Sequence, residues 1–261
     1  MQLIDTHCHI HEADYPKDST QAYKAALEAD VYKLICVGTD VASSQRAVSF
    51  AKGHESAWAS LGVHPHEAKL NDTTELEKLI TEPKVVAVGE CGLDYYYHHS
   101  PRDVQIKAFR QQIELALAYH KPLIFHVREA FDDFWPIFDE YQGIRGVLHS
   151  FTDTAAHLEK ALQRNLYIGV NGISTFTKVD DQITMFKRIP KEKLLLETDA
   201  PFLTPVPLRG TINEPAYVVC IAKYLSELYG ISLKEIAEAS THNANELFTL
   251  TQTNSKPQTL A

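Results

Sequence analysis

The stretch Ile4-Asp5-Thr6-His7-Cys8-His9 carries an apolar run into two imidazoles two residues apart. Side chains at i and i+2 of a strand point to the same side. His7 and His9 are therefore expected to face one point, as a pair of metal ligands must. Alone the pair decides little, because neutral imidazole is a common ligand but also a tolerated core residue. Four further stretches have the same form, a β-branched apolar run closing on a ligand-type side chain. They are Val85-Val86-Ala87-Val88-Gly89-Glu90, Pro122-Leu123-Ile124-Phe125-His126, Gly146-Val147-Leu148-His149 and Leu194-Leu195-Leu196-Glu197-Thr198-Asp199. Six N/O ligands exceed what one tetrahedral zinc takes, so two divalent ions are expected. Zn²⁺ and Mn²⁺ suit such a mixed set, and Mg²⁺, which prefers oxygen, suits it less. His7, His9 and Asp199 are expected to share one ion, and His126 and His149 the other. Glu90, the carboxylate of the middle strands, is the bridging candidate. Asp199 is either a ligand or the general base that holds the attacking water. The reaction class is hydrolysis of an ester, amide or phosphodiester.

The gaps between these ligands tell which scaffold must hold them. From His9 to Glu90, His126, His149 and Asp199 the steps are 81, 36, 23 and 50 residues. With about 27 residues per strand-plus-helix unit, these are three, one, one and two units. The ligands then end strands one, four, five, six and eight of an eightfold repeat. The expected fold is a single (β/α)₈ barrel of the TIM type, whose active sites gather at the carboxyl ends of the strands. The length of 261 residues agrees with the ~250 typical of that barrel. One domain is expected over residues 1–250, followed by a polar, disordered tail over 251–261. Between the strands the pattern predicts helices over 22–29, 42–52, 130–141 and 180–188. A capping box at Asp72-Thr73-Thr74-Glu75 is expected to open a helix to about Ile80. Ser100-Pro101 is expected to cap a long helix to about Tyr119, and Asp153 a helix to about Arg164. Closing helices are expected from Pro215 to Tyr229 and, after the box Ser232-Leu233-Lys234-Glu235, to about Phe248.

Composition narrows the functional class. No run of about 18 apolar residues is present, so no membrane span is expected. Met1 leads straight into the first strand, which leaves no room for a signal peptide. The four cysteines, Cys8, Cys36, Cys91 and Cys220, form no Cys-x-x-Cys pair. Buried free thiols in a reducing cytoplasm are the expectation. Cys8 and Cys91 flank ligands and should point away from them. The formal net charge of −9 argues against coating nucleic acid through a wide basic face. It leaves room for a polyanionic substrate, because two divalent cations reverse the field inside a cleft.

Other polar residues divide between substrate contact and plain structure. His64 ends the third strand beside Pro65 and either touches substrate or caps a turn. Arg128 follows His126 by two and should face the same way. Its guanidinium suits a phosphate, and an ion pair with a site carboxylate is the competing role. His66, His98 and His99 are expected in loops, and His54, His120 and His157 on or at the ends of helices. His11 and His242 are expected to be structural.

At these motifs the chain resembles the TatD family of metal-dependent hydrolases, within the amidohydrolase superfamily. The similarity rests on Ile4-Asp5-Thr6-His7-Cys8-His9, Gly62-Val63-His64-Pro65 and Val88-Gly89-Glu90-Cys91-Gly92-Leu93-Asp94-Tyr95. It continues through Phe125-His126-Val127-Arg128, His149-Ser150-Phe151 and Leu196-Glu197-Thr198-Asp199-Ala200-Pro201-Phe202-Leu203. The resemblance implies a metal-dependent deoxyribonuclease, with 3′-to-5′ exonuclease action on single strands or 3′ ends. It implies His7, His9, Glu90, His126, His149 and Asp199 as ligands, with His64 and Arg209 near the substrate phosphates. It also suggests a second activity, removal of D-amino acids from mischarged tRNA. A metal-bound scaffold with little activity is a third class, disfavoured because an unused site of like charges costs stability. A monomer is expected. The chain departs from the family at two places. Relatives commonly read His-Cys-Phe-Ser-Gly where this chain has His149-Ser150-Phe151-Thr152-Asp153. They commonly read Arg-Gly-Lys-Arg-Asn where it has Arg209-Gly210-Thr211-Ile212-Asn213, so two basic residues are missing beside Arg209.

Overall fold

The structure is a computed structural model that describes residues 2–70 and 72–250; the expected tail lies outside the described residues. Eight parallel strands pair in chain order into one sheet, β1 through β8. They are β1 (Leu3–Cys8), β2 (Val31–Val37), β3 (Ala57–Leu61), β4 (Val85–Asp94), β5 (Leu123–Arg128), β6 (Gly146–Leu148), β7 (Tyr167–Val170) and β8 (Leu194–Leu196). The sheet curls into a nearly closed TIM-type barrel. Its seam between β1 and β8 is joined at the carboxyl end, by a bridge from Cys8 to Ala200. There Asp199 N–H donates to His7 O at 2.9 Å and His9 N–H to Ala200 O at 2.7 Å. Buried Asp5 reinforces the join, accepting from Thr198 N–H at 2.9 Å and from Thr198 Oγ1–H at 2.6 Å. The seam is thus tied where the ligands sit.

Strand alternation decides which side chains enter the barrel. Ile4, Ile35, Ala87, Ile124, Val147 and Leu195 pack into one buried cluster inside it, floored by Leu247 and Phe248. Leu123 and Phe125 face outward and meet Phe109, Phe134 and Phe138. Burying each such side chain contributes roughly 1.5–3 kcal/mol relative to exposure. Two residues beyond Ile124, Val147 and Leu195, on the same inner face, come His126, His149 and Glu197. The apolar plug is therefore followed, one step up each strand, by a polar layer.

The outer helices are α1 (Ser19–Glu28), α2 (Val41–Gly53), α3 (Arg102–Ala118), α4 (Phe131–Asp139), α5 (Ala155–Gln163), α6 (Ile173–Phe176), α7 (Asp180–Lys187), α8 (Val218–Tyr229) and α9 (Leu233–Phe248). The box at Ser232 and Glu235 forms as expected and opens α9. Three other expected starts differ. Thr73–Lys78 is a 3₁₀ helix, because Asp72 accepts from Thr74 N–H at 3.0 Å while Glu75 turns to Lys78. Ser100 does not cap α3; its hydroxyl donates to His66 O at 2.8 Å and accepts from Lys69 N–H at 3.1 Å. Thr154, rather than Asp153, caps α5, accepting from His157 N–H. The short α6 was not expected. No single described helix is long and apolar enough to cross a membrane.

Candidate metal centre

The six expected ligands converge at the carboxyl end of the barrel. His7 and His9 point the same way, their Nε2 atoms 3.1 Å apart. His7 Nε2 lies 3.3 Å from Glu90 Oε2 and 3.7 Å from Asp199 Oδ1. His9 Nε2 lies 3.3 Å from the same Asp199 oxygen. His9 Nδ1 is 2.9 Å from Val37 O, an acceptor only, so Nδ1 carries the proton and Nε2 keeps its lone pair. The rings of His7 and His149 stack at 3.5 Å between centroids. His149 Nε2 stands 3.8 Å from both Glu90 Oε1 and Asp199 Oδ1. On the far side of Glu90, His126 Nδ1 is 2.8 Å and His64 Nε2 3.5 Å from Oε1.

Three groups of ligand atoms lie within 4.8 Å of one another: His7, His9 and Glu90; His7, His149 and Asp199; His64, Glu90 and His126. Glu90 belongs to two of them, with one oxygen toward each side. His149 sits with His7 and Asp199, and His64 beside His126, a division that strand spacing could not give. Glu90 was expected at a strand end, yet β4 continues to Asp94. The pairing of β4 with β5 is irregular between Val88 and Cys91. Such irregularities re-aim a side chain, and here Glu90 turns into the barrel while Cys91 stays in the outer core. Cys8 likewise points away, its Sγ 3.5 Å from Ile35 O.

Two carboxylates that the sequence reading passed over hold the imidazoles. Asp94 accepts from His126 Nε2–H at 2.9 Å and from His66 Nε2–H at 3.0 Å. Glu197 Oε1 lies 2.9 Å from His149 Nδ1 and accepts from Ser150 N–H at 2.6 Å. A Cβ on Gly169 of β7 would run into the Glu197 carboxylate, which is why that position has no side chain. Such partners fix ring orientation and raise ligand basicity. The signal was available: Asp94 stands four residues after Glu90 and Glu197 two before Asp199, on the same faces. His66, expected in a loop, lies on the 3₁₀ turn Pro65–Glu67 and lines the cleft.

The cleft above the ligands has a volume of about 740 Å³ and is lined also by Arg128, Tyr97 and Phe202. Arg128 stacks on Tyr96 and Tyr97, its Cζ 3.9 and 4.9 Å from their centroids. Arg209 is not among the lining residues. It donates to Thr204 O at 2.8 Å and lies 4.0 Å over the Phe176 ring.

Charge in the site is balanced by protons. Burial disfavours the Glu90 carboxylate, but His64, His149, His126 and His7 outweigh this and hold it well below the usual range. Burial also opposes a charged His149, yet Glu197 and Glu90 lift it to about 10. His126 rises to about 8 against its own burial, through Asp94 and Glu90. Burial and then the neighbouring His126 push His64 well down, so it stays neutral. Clustered neutral and charged imidazoles around two carboxylates, with His9 Nε2 left as a lone pair, are a donor set that fits divalent cations. Metal ligation requires neutral imidazole. At pH 7 His126 and His149 are largely protonated, so loading is expected to release about two protons per chain. Calorimetry of metal binding in buffers of different ionisation enthalpy measures this; an enthalpy independent of buffer contradicts it.

The family model described as TatD related DNase matches residues 4–249. The chain belongs to the TatD family. It is 36% identical over 251 residues to the uncharacterized metal-dependent hydrolase YabD of Bacillus subtilis (strain 168), covering 94% of this chain and 98% of that one. It is 34% identical over 259 residues to the 3′-5′ ssDNA/RNA exonuclease TatD of Erwinia tasmaniensis, covering 95% and 100%. Among solved structures, the TatD homolog YjjV of Escherichia coli K12 superposes with a TM-score of 0.89 at 28% identity, over 95% of this chain and 98% of that one. This TatD-family chain is therefore a metal-dependent hydrolase, and its His, Glu and Asp clusters can hold metal.

Proposed function

We propose that this protein is a phosphodiesterase acting on single-stranded nucleic acid from the 3′ end, with two divalent ions held by His7, His9, Glu90, His126, His149 and Asp199. The observation that carries this reading is the Glu90 carboxylate, which offers one oxygen to His7 and the other to His126, between two ligand groups. The Erwinia relative named for exonuclease action supports the substrate class. Zn²⁺ or Mn²⁺ suits the imidazole-rich set better than Mg²⁺. Bound ions supply Lewis acidity and a hydroxide source at neutral pH.

The chain's own residues do the rest. His9, with Nδ1–H tied to Val37 O, presents Nε2 beside Asp199 Oδ1. Burial works against a charged Asp199, yet His9 and His149 keep its pKa lowered. It thus stays ready to take the proton of the attacking water. Arg128, presented on the faces of Tyr96 and Tyr97, meets the phosphodiester at the rim. Phosphorus gains the water oxygen and loses the O3′ of the departing strand, which takes a proton from solvent to leave as a 3′-hydroxyl. The four free cysteines suit a reducing cytoplasm.

The test is to incubate metal-loaded protein with labelled single-stranded DNA and, separately, with D-aminoacyl-tRNA, with Asp199→Asn as control. Stepwise loss of 3′ nucleotides, absent in the control, is expected. Deacylation without DNA cleavage would make the ester-hydrolase reading correct instead.

Weak grip on long polyanions is a further expected property. Thr211 is exposed, and its hydroxyl donates within its own loop to Leu208 O at 2.8 Å. The double change Thr211→Lys, Ile212→Arg is expected to tighten single-stranded DNA binding. It should steepen log K against log salt by roughly 0.7 per added contact. Hydrolysis of a small chromogenic diester should stay nearly constant. Anisotropy across a salt series reads the slope, and a slope equal to wild type means that the loop does not meet the backbone.

A further inference from the structure

The metal cleft opens sideways into a second cavity of about 610 Å³. His9, Thr39 and Phe202 line both spaces, so the two meet at those side chains. A substrate held at the ligands therefore has this cavity beside its reacting bond. The size is that of a small-molecule pocket.

Its walls are of two kinds. Pro16, Pro201, Tyr15 and Phe202 are apolar, and Phe202 is 60% exposed. Such exposure is not looseness. Phe202 N–H donates to Asp199 O at 2.8 Å, and Phe202 O accepts from the amide of buried Asn213 at 2.5 Å. The backbone at Phe202 is thus held, and the ring centroid lies 6.5 Å from that of His9. A solvent-facing aromatic on a held backbone, beside His9, has an uncovered face to offer a planar group.

The polar wall is negative. Its guanidinium, Arg46, is already paired with Glu12 through Nε at 3.1 Å. Asp14 and Asp40 remain as acceptors. Asp40 uses Oδ1 to cap α2, accepting from Ser43 N–H at 2.6 Å. This wall repels phosphate and accepts N–H donors. Arg128, the cation that suits phosphate, lines the cleft but not the side cavity.

We propose that the side cavity holds the base of the 3′-terminal nucleotide, stacked on Phe202, with bases bearing an exocyclic amino group favoured by Asp40. The remaining phosphates run toward Arg128, and a second phosphate is kept out of the cavity by its charge. One terminal nucleoside fits there and a continuing chain does not. This rests on the phosphodiesterase reading above and adds the residues that read the end of the strand.

The probe is a single-stranded oligonucleotide with 2-aminopurine at its 3′ end and a hydrolysis-resistant phosphorothioate as the last linkage. Added to metal-loaded protein, its fluorescence is expected to be quenched by stacking. The same label placed internally should be quenched much less. Phe202→Leu, which keeps an apolar side chain on the pinned loop, should remove the terminal quench and weaken binding roughly tenfold. Equal quenching in Phe202→Leu and wild type would overturn the assignment. Asp40→Asn preserves the cap, since Asn and Asp cap alike, but exchanges an acceptor for a donor. Its kcat/KM ratio for dA or dC ends over dT ends should fall at least threefold, and an unchanged ratio removes Asp40 from base reading. Hydrolysis of bis(p-nitrophenyl) phosphate by the wild type separates the two claims. Hydrolysis without terminal quenching overturns the cavity assignment alone, whereas quenching without hydrolysis supports it and overturns the phosphodiesterase reading.

Discussion

Asp199→Asn is expected to abolish turnover while leaving the fold nearly intact. The backbone at Asp199 is left-handed, with φ 58°, a region that Asp and Asn both tolerate. The amide also keeps the shape, and the backbone bond from Asp199 N–H to His7 O is unaffected. What changes is chemistry. The carboxylate stands 3.3 Å from His9 Nε2 and 3.7 Å from His7 Nε2, and an amide there is a weak ligand and a poor base. Loss of an acid–base group costs roughly 10²–10⁴ in rate, and loss of a ligand adds to it. kcat and thermal unfolding measured on the same sample decide the matter. Activity within about threefold of wild type would remove Asp199 from the mechanism.

Glu90→Ala is expected to cost metal as well as rate. Glu90 meets His7 and His126 within 3.3 Å. Among the described residues, no other carboxylate belongs to two of the ligand groups. Its removal leaves imidazoles facing one another with no anion between them, and positive charge among them then repels a cation. Elemental analysis after gentle loading should fall from two ions per chain toward one or none, as the lost bridge requires. Glu90→Gln keeps the volume and separates lost charge from collapse of the cavity. A stoichiometry of one in the wild type, unchanged by Glu90→Ala, contradicts the binuclear reading.

The barrel was legible because apolar β-branched runs recur at intervals close to a strand-plus-helix unit. The inner face of each run was legible too: Ile124 then His126, Val147 then His149. The division of ligands was not. His149, just past β6, reaches across the barrel to stack on His7 of β1, and linear spacing carries no record of a cross-barrel contact. His64 does cap a turn, its Nδ1 accepting from His66 N–H at 3.2 Å, and it also stands beside Glu90 and His126, a grouping that strand spacing does not show. The supporting carboxylates Asp5, Asp94 and Glu197 were hidden differently. Each has the parity of a ligand, but their partners, Thr198, His66 and Ser150, come from other elements. The misplaced starts of α3 and α5 share a cause, since a side chain able to cap was diverted to a nearer or tertiary partner. The placement of Arg209 over Phe176 depends on loop packing that no periodicity encodes.

The most direct test of the two-ion site is a metal titration followed by activity. Protein stripped of metal is loaded stepwise with Mn²⁺ or Zn²⁺. At each step the bound metal per chain and the rate of 3′-nucleotide release from single-stranded DNA are measured on the same sample. Little release is expected up to one ion per chain, then a steep rise as the second binds, and loss of all release on chelation. Full nucleotide release at one ion per chain, or none at two, would contradict the two-ion site.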